Sequence, residues 1–98
     1  MIGEELTNKA LKTINIRGKN YGDIKENHDL IAIGWDVIVK QAIKREGKLK
    51  GKDVALMMDW VKTVRLTFDP DHEDSLVDKV GYCITYLENI AKKILKKL

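Results

Sequence analysis

Residues 23–45, DIKENHDLIAIGWDVIVKQAIKR, decide how this chain folds. Asp23 suits a helix N-cap, and Glu26, three residues on, is its capping-box partner. Behind them Ile31, Ala32, Trp35, Ile38, Val39, Ala42 and Ile43 recur at helical spacing and form one apolar stripe. Leu30, Ile33 and Val37 add a second. The pattern predicts a helix from about Ile24 to Arg45 that is apolar over much of its circumference. Such a helix is either central to its domain or shared with another subunit. His28 falls on the main stripe, where a satisfied core histidine is expected.

Upstream, Leu6, Ala10, Leu11 and Ile14 predict a helix from about Glu4 to Ile16, closed by Gly18 and the turn Asn20-Tyr21-Gly22-Asp23. Downstream, a loop from Gly47 to Gly51 carries Lys48 and Lys50. A third helix then spans about Lys52 to Phe68, with Val54, Met57, Val61, Val64 and Phe68 as its core stripe. Arg65 borders that stripe, and Lys62 lies further round on the same side. The fourth helix begins near Asp74 and extends toward Leu98. Its predicted buried face is Leu76, Val80, Cys83, Ile84, Leu87, Ile90, Ala91, Ile94 and Leu98. Residues 1–98 are thus expected to form a single, compact, all-α four-helix domain.

At 98 residues the chain is near the lower limit for a self-sufficient core. An oligomer is expected, because a domain of this size buries only roughly 60–65% of its unfolded surface. Apolar residues at 44% and charged residues at 34% describe a globular protein. No apolar run approaches the ~20 residues of a membrane span, and MIGEELTNK lacks the basic start and apolar centre of a signal peptide. The single Cys83 forms no internal disulfide, which suits a reducing cytoplasm. The net charge of +3 depends on Lys92, Lys93, Lys96 and Lys97; without them fourteen basic residues face fifteen acidic ones. Lysines at a helix C-terminus oppose the helix dipole, so the charge argues against duplex DNA as a partner.

Two polar clusters carry the candidate chemistry. In residues 69–82, DPDHEDSLVDKVGY, Pro70 belongs to a turn and Asp74 or Ser75 caps the following helix. Asp74 and Asp78 share a helix face, and Tyr82 continues it. Gly81 sits in the helix interior at a cost of about 1 kcal/mol relative to alanine, which points to close approach by a neighbouring helix or a ligand. The second cluster is Lys62 and Arg65, neighbours three residues apart. They either pair with Asp59 and Asp69 or form a phosphate clamp, for which arginine's planar fork and lysine's point charge are suited. Glu26 with Asp29, and His72 with Asp69, Asp71 or Asp74, are weaker cation candidates; their spacing matches neither a calcium loop nor a zinc module. Cys83 is expected to be inert on the core face, and no nucleophile motif or glycine-rich phosphate loop is present.

Three segments together resemble a family of small all-helical phage and prophage proteins of uncharacterised function. They are Arg17-Gly-Lys-Asn-Tyr21-Gly22 with Lys25-Glu26-Asn27, Ala32 and Trp35; Asp53-Val-Ala-Leu-Met57-Met58 with Lys62-x-x-Arg65; and Asp74-Ser-Leu-Val-Asp78-x-x-Gly81-Tyr82. The resemblance implies a viral protein acting in a bacterial cytoplasm. The helical layout is also similar to all-α nucleotide pyrophosphohydrolases of the MazG type. Their Glu-x-x-Glu and Glu-x-x-Asp pairs hold magnesium, and the nearest counterparts here are Glu26 with Asp29 and Asp74 with Asp78. The second pair departs from that spacing, and a whole helix separates the two pairs.

The leading expectation is a binder, with no catalytic residues and no cofactor, that sequesters a nucleotide-derived host immune signal. Lys62 and Arg65 would hold phosphates, Tyr21 or Tyr82 would contact base or ribose, and Asp74 or Asp78 would accept ribose hydroxyls, in a pocket built between subunits. A magnesium-dependent pyrophosphohydrolase using Glu26, Asp29, Asp74 and Asp78 is one alternative. An inhibitor of a host protein, acting through the second helix, is another.

Overall fold

The indole of Trp60 lies over Gly34, and that contact sets the packing of the chain. In the computed structural model four helices follow one another: α1 (Ile2–Tyr21), α2 (Ile24–Glu46), α3 (Gly51–Phe68) and α4 (Glu73–Lys97). It describes residues 2–21 and 23–97, and only the backbone of 18–21, 94, 95 and 97. No strand occurs among the described residues, and the all-α, four-helix expectation holds. α1 runs on through Gly18 to Tyr21, beyond the predicted stop at Ile16; one interior glycine weakens a helix without ending it.

α3 is the central helix, packed between α2 and α4, while α1 lies against α2. The Trp60 Nε1–H donates to the Leu30 carbonyl at 3.0 Å, and the Trp35 Nε1–H donates to the Met57 carbonyl at 2.7 Å. The two bonds run in opposite directions across the α2–α3 seam and fix its antiparallel register. A Cβ at position 34 would collide with the Trp60 ring. On the other side Lys79 of α4 reaches Asp59 of α3 at 2.9 Å.

Two sequence expectations change here. α2 is not central, so Ile33 and Val37 of its second stripe are exposed. The predicted buried face of α4 is also exposed at Leu76, Val80, Cys83, Ile84 and Leu87; Ile94 and Leu98 lie outside the described side chains. α4 instead turns Ser75, Lys79, Tyr82 and Tyr86 inward, each buried or half-buried, because the polar rim of α3 offers Lys79 an ion partner in Asp59. Among the described residues no atom outside its own helix lies within 4 Å of a would-be Cβ at Gly81, so a neighbouring helix of the same chain does not explain it.

The α2–α3 corner is tied by charge. Gly47 closes α2 in the left-handed conformation, φ 75°, its N–H bonding the Ile43 carbonyl at 2.8 Å. The Glu46 carboxylate gathers Lys52, Lys50 and Arg45. The buried Asp53 accepts the Lys50 N–H at 2.9 Å and Arg45 Nη2 at 3.0 Å. Hydrogen bonds from Lys52, Lys50 and Arg45 hold the Glu46 carboxyl down at about 2, from an ordinary 4.5.

Two predictions follow from the seam and the corner. Gly34→Ala forces the Trp60 ring aside and is expected to cost about 1–3 kcal/mol in urea unfolding; an unchanged midpoint would mean the seam is loosely packed. Glu46 has a lowered folded-state pKa, so its contribution is present above about pH 4.5 and is lost as pH falls toward about 2. Glu46→Gln should therefore flatten the decline of the thermal midpoint across that window, measured by circular dichroism.

Candidate functional site

All four helices contribute to one groove of about 650 Å³, within the size range of small-molecule sites. α1 brings Ile14 and Arg17, and α2 brings Ile24, Asn27, His28 and Ile31. α3 supplies Val61, Lys62 and Arg65. The α3–α4 turn and α4 supply His72, Asp74, Ser75 and Asp78. The wall therefore mixes apolar and polar residues from α1 and α2 with a densely charged stretch from α3 and α4.

Helical spacing explains the charged wall. Lys62 and Arg65 lie three residues apart on α3, and Asp74 and Asp78 four apart on α4, so each pair projects from one face. Antiparallel packing then brings the two pairs opposite one another. Lys62 Nζ lies 3.0 Å from Asp78 Oδ2, with the two side chains 28% and 47% exposed. Arg65 is only 6% exposed, and its Nη1 stands 3.7 Å from Asp69 Oδ2. Asp59, a candidate partner of Lys62, instead pairs with Lys79. An exposed pair such as Lys62–Asp78 is weakly held, below about 1 kcal/mol, and can be opened by a competing anion.

The turn before α4 is built by a histidine. The His72 Nδ1 accepts the Ser75 N–H at 3.3 Å and lies 2.7 Å from Ser75 Oγ. His72 thus occupies the capping position expected for Asp74 or Ser75, and leaves the Asp74 carboxylate on the groove. Histidine is a rare helix cap, and its capping was not readable from spacing. His28, expected in the core, is exposed and lines the groove, because α3 and not α2 holds the centre.

Lys62, Arg65, Asp74 and Asp78 are thereby brought together, while Tyr82 is half-buried and is not among the residues of the groove wall. The side chain of Tyr21 lies outside the described residues. Asp29 is ion-paired with Lys25 at 2.7 Å on the exposed surface of α2, and Glu26 is exposed there too. Among the described residues no three His, Cys, Asp or Glu side chains gather as a metal site. Arg17, Asn27 and Ser75 are wall residues to which sequence spacing assigned no binding role. All three do fall in the quoted motif segments, which is the signal that could have found them.

A family model, the domain of unknown function DUF6378, matches residues 5–90. This chain belongs to the DUF6378 family. It is also similar to the Gene 55 protein of Mycobacterium phage L5, at 41% identity over 66 residues. The match covers 67% of this chain and 39% of that protein, so the chain spans about two fifths of its relative's length. No solved structure matches. The expected kinship with phage proteins of unknown function thus holds for this DUF6378 chain. None of the described helices is long and apolar enough to cross a membrane.

Because His72 caps α4 in this DUF6378 domain, His72→Ala is expected to lower stability by about 1 kcal/mol, and His72→Asn to restore most of it. Urea midpoints of the two variants check this. Equal losses in both would show that the ring, and not its acceptor atom, matters.

Proposed function

We propose that the groove binds a nucleotide-derived small molecule and retains it unchanged. One observation carries this reading: two cations of α3 face two carboxylates of α4 in a single groove of ligand size. A phosphate would lie against the Arg65 guanidinium, whose planar fork matches phosphate oxygens, and would draw Lys62 away from Asp78. Asp78, once released, and Asp74 would accept ribose hydroxyls. His28 and His72, in place of Tyr82, flank the space left for a base. The phage relative supports placing this activity in the cytoplasm of an infected bacterium, where holding a nucleotide immune signal would blunt host defence.

The test is thermal unfolding of the purified chain against a panel of nucleotides, including cyclic and ADP-ribose derivatives. A true ligand at 100 times its Kd should stabilise the fold by about 2.7 kcal/mol. Lys62→Ala and Arg65→Lys should each weaken that ligand by about tenfold or more. A panel in which no member raises the melting temperature would sink the reading. Release of pyrophosphate from a bound nucleotide in the presence of magnesium would replace it with a hydrolytic one.

A further inference from the structure

The surface left open by this chain is larger than a compact fold of its mass would show. A compact protein of 11.2 kDa exposes about 5,700 Å². This chain exposes 7700 Å², so roughly 2,000 Å² is in excess of the compact expectation. Its radius of gyration, 17.0 Å, tells the same story against about 13 Å for a compact fold of this length.

α4 carries one continuous part of that surface. The helix gives α3 its polar and aromatic line and sends Val77, Val80, Ile84 and Leu87 outward, exposed at 61, 61, 54 and 52%. These four share one side of the helix at spacings of three, four and seven residues. Gly81 lies beside them, and a Cβ there would meet nothing outside its own helix among the described residues. On α1, Leu6 and Leu11 are exposed as well.

We propose that a second copy of this chain seats against the outward face of α4. The area decides the occupant. A standard interface buries about 800 Å² per partner, and obligate homodimers about 1,000–2,500 Å². The excess of roughly 2,000 Å² per chain falls in the obligate homodimer range and is far more than one docked peptide covers. Two identical α4 faces, apolar along their length, are self-complementary about a two-fold axis. Gly81 then has a role that nothing within the chain gives it: without a Cβ, the two α4 backbones approach closely at their crossing. Asp78 is within one turn of Gly81 and lines the groove, so the second copy stands at the groove's edge. This inference does not depend on the ligand proposed above.

Sedimentation equilibrium of the full chain at tens of micromolar should give twice the 11.2 kDa chain mass. Gly81→Arg and Val80→Asp should weaken self-association by about 100-fold or more. A side chain at position 81 would meet no other described helix of the chain, so Gly81→Arg is expected to keep its helical circular dichroism while sedimenting as a monomer. A second measurement needs no substitution. A spin label on the exposed Cys83 of α4 should report a partner label within about 35 Å, given the 8–10 Å spacing of packed helices. A wild-type monomer would overturn the proposal and assign the face to a different occupant. A dimer unaffected by both substitutions, or without dipolar coupling at Cys83, would overturn it as well.

Discussion

Two indole N–H groups, pointing in opposite directions across the seam between α2 and α3, set the geometry on which the rest depends. Trp60 reaches the Leu30 carbonyl and Trp35 the Met57 carbonyl, so neither helix can slide or rotate without breaking both bonds. Gly34 allows this because only a residue without a Cβ leaves room for the Trp60 ring. With α2 locked to one side of α3, α4 takes the other, and Lys79 meets Asp59. Arg65 is then buried between layers, and Lys62 is brought against Asp78 at the edge of the groove.

The basic residues divide into two populations with different work. At the α2–α3 corner, Lys50, Lys52 and Arg45 converge on Glu46, and Arg45 also reaches the buried Asp53. Those cations are committed to holding a sharp connection together. Lys62 differs: its partner Asp78 is nearly half exposed, and both line a cavity. A charge whose partner remains solvated can exchange it for a ligand at little cost, because the pair gains little from its own attraction. The corner and the groove are equally charged in the sequence, and only the packing tells them apart.

The four helices were legible because each carries its own periodic stripe, and the predicted starts of α2, α3 and α4 fall within a residue of those observed. What periodicity cannot tell is which body covers a stripe. Leu76, Val80, Ile84 and Leu87 are a clean apolar face, and yet α3 takes the opposite side of the helix. His28 was misplaced for the same reason, since its stripe faces a groove at that point and not a core. The charged wall was readable further: Lys62 with Arg65 and Asp74 with Asp78 were each paired by spacing, and antiparallel packing joined the pairs. Their apposition to Arg17 and His28 is tertiary and left no local signal. DUF6378 membership, with a phage relative, supplies kinship without chemistry.

A ligand site at the charged wall between α3 and α4, as proposed, would behave differently from a solvated rim. Amide chemical-shift mapping during titration with ADP-ribose and with cyclic nucleotides tests it most directly. Saturable shifts concentrated at residues 61–65 of α3 and 72–78 of α4 are expected. Shifts confined to the other basic depression, around Lys50, Lys52 and Lys93, or an absence of saturable shifts with every nucleotide, would contradict the proposal.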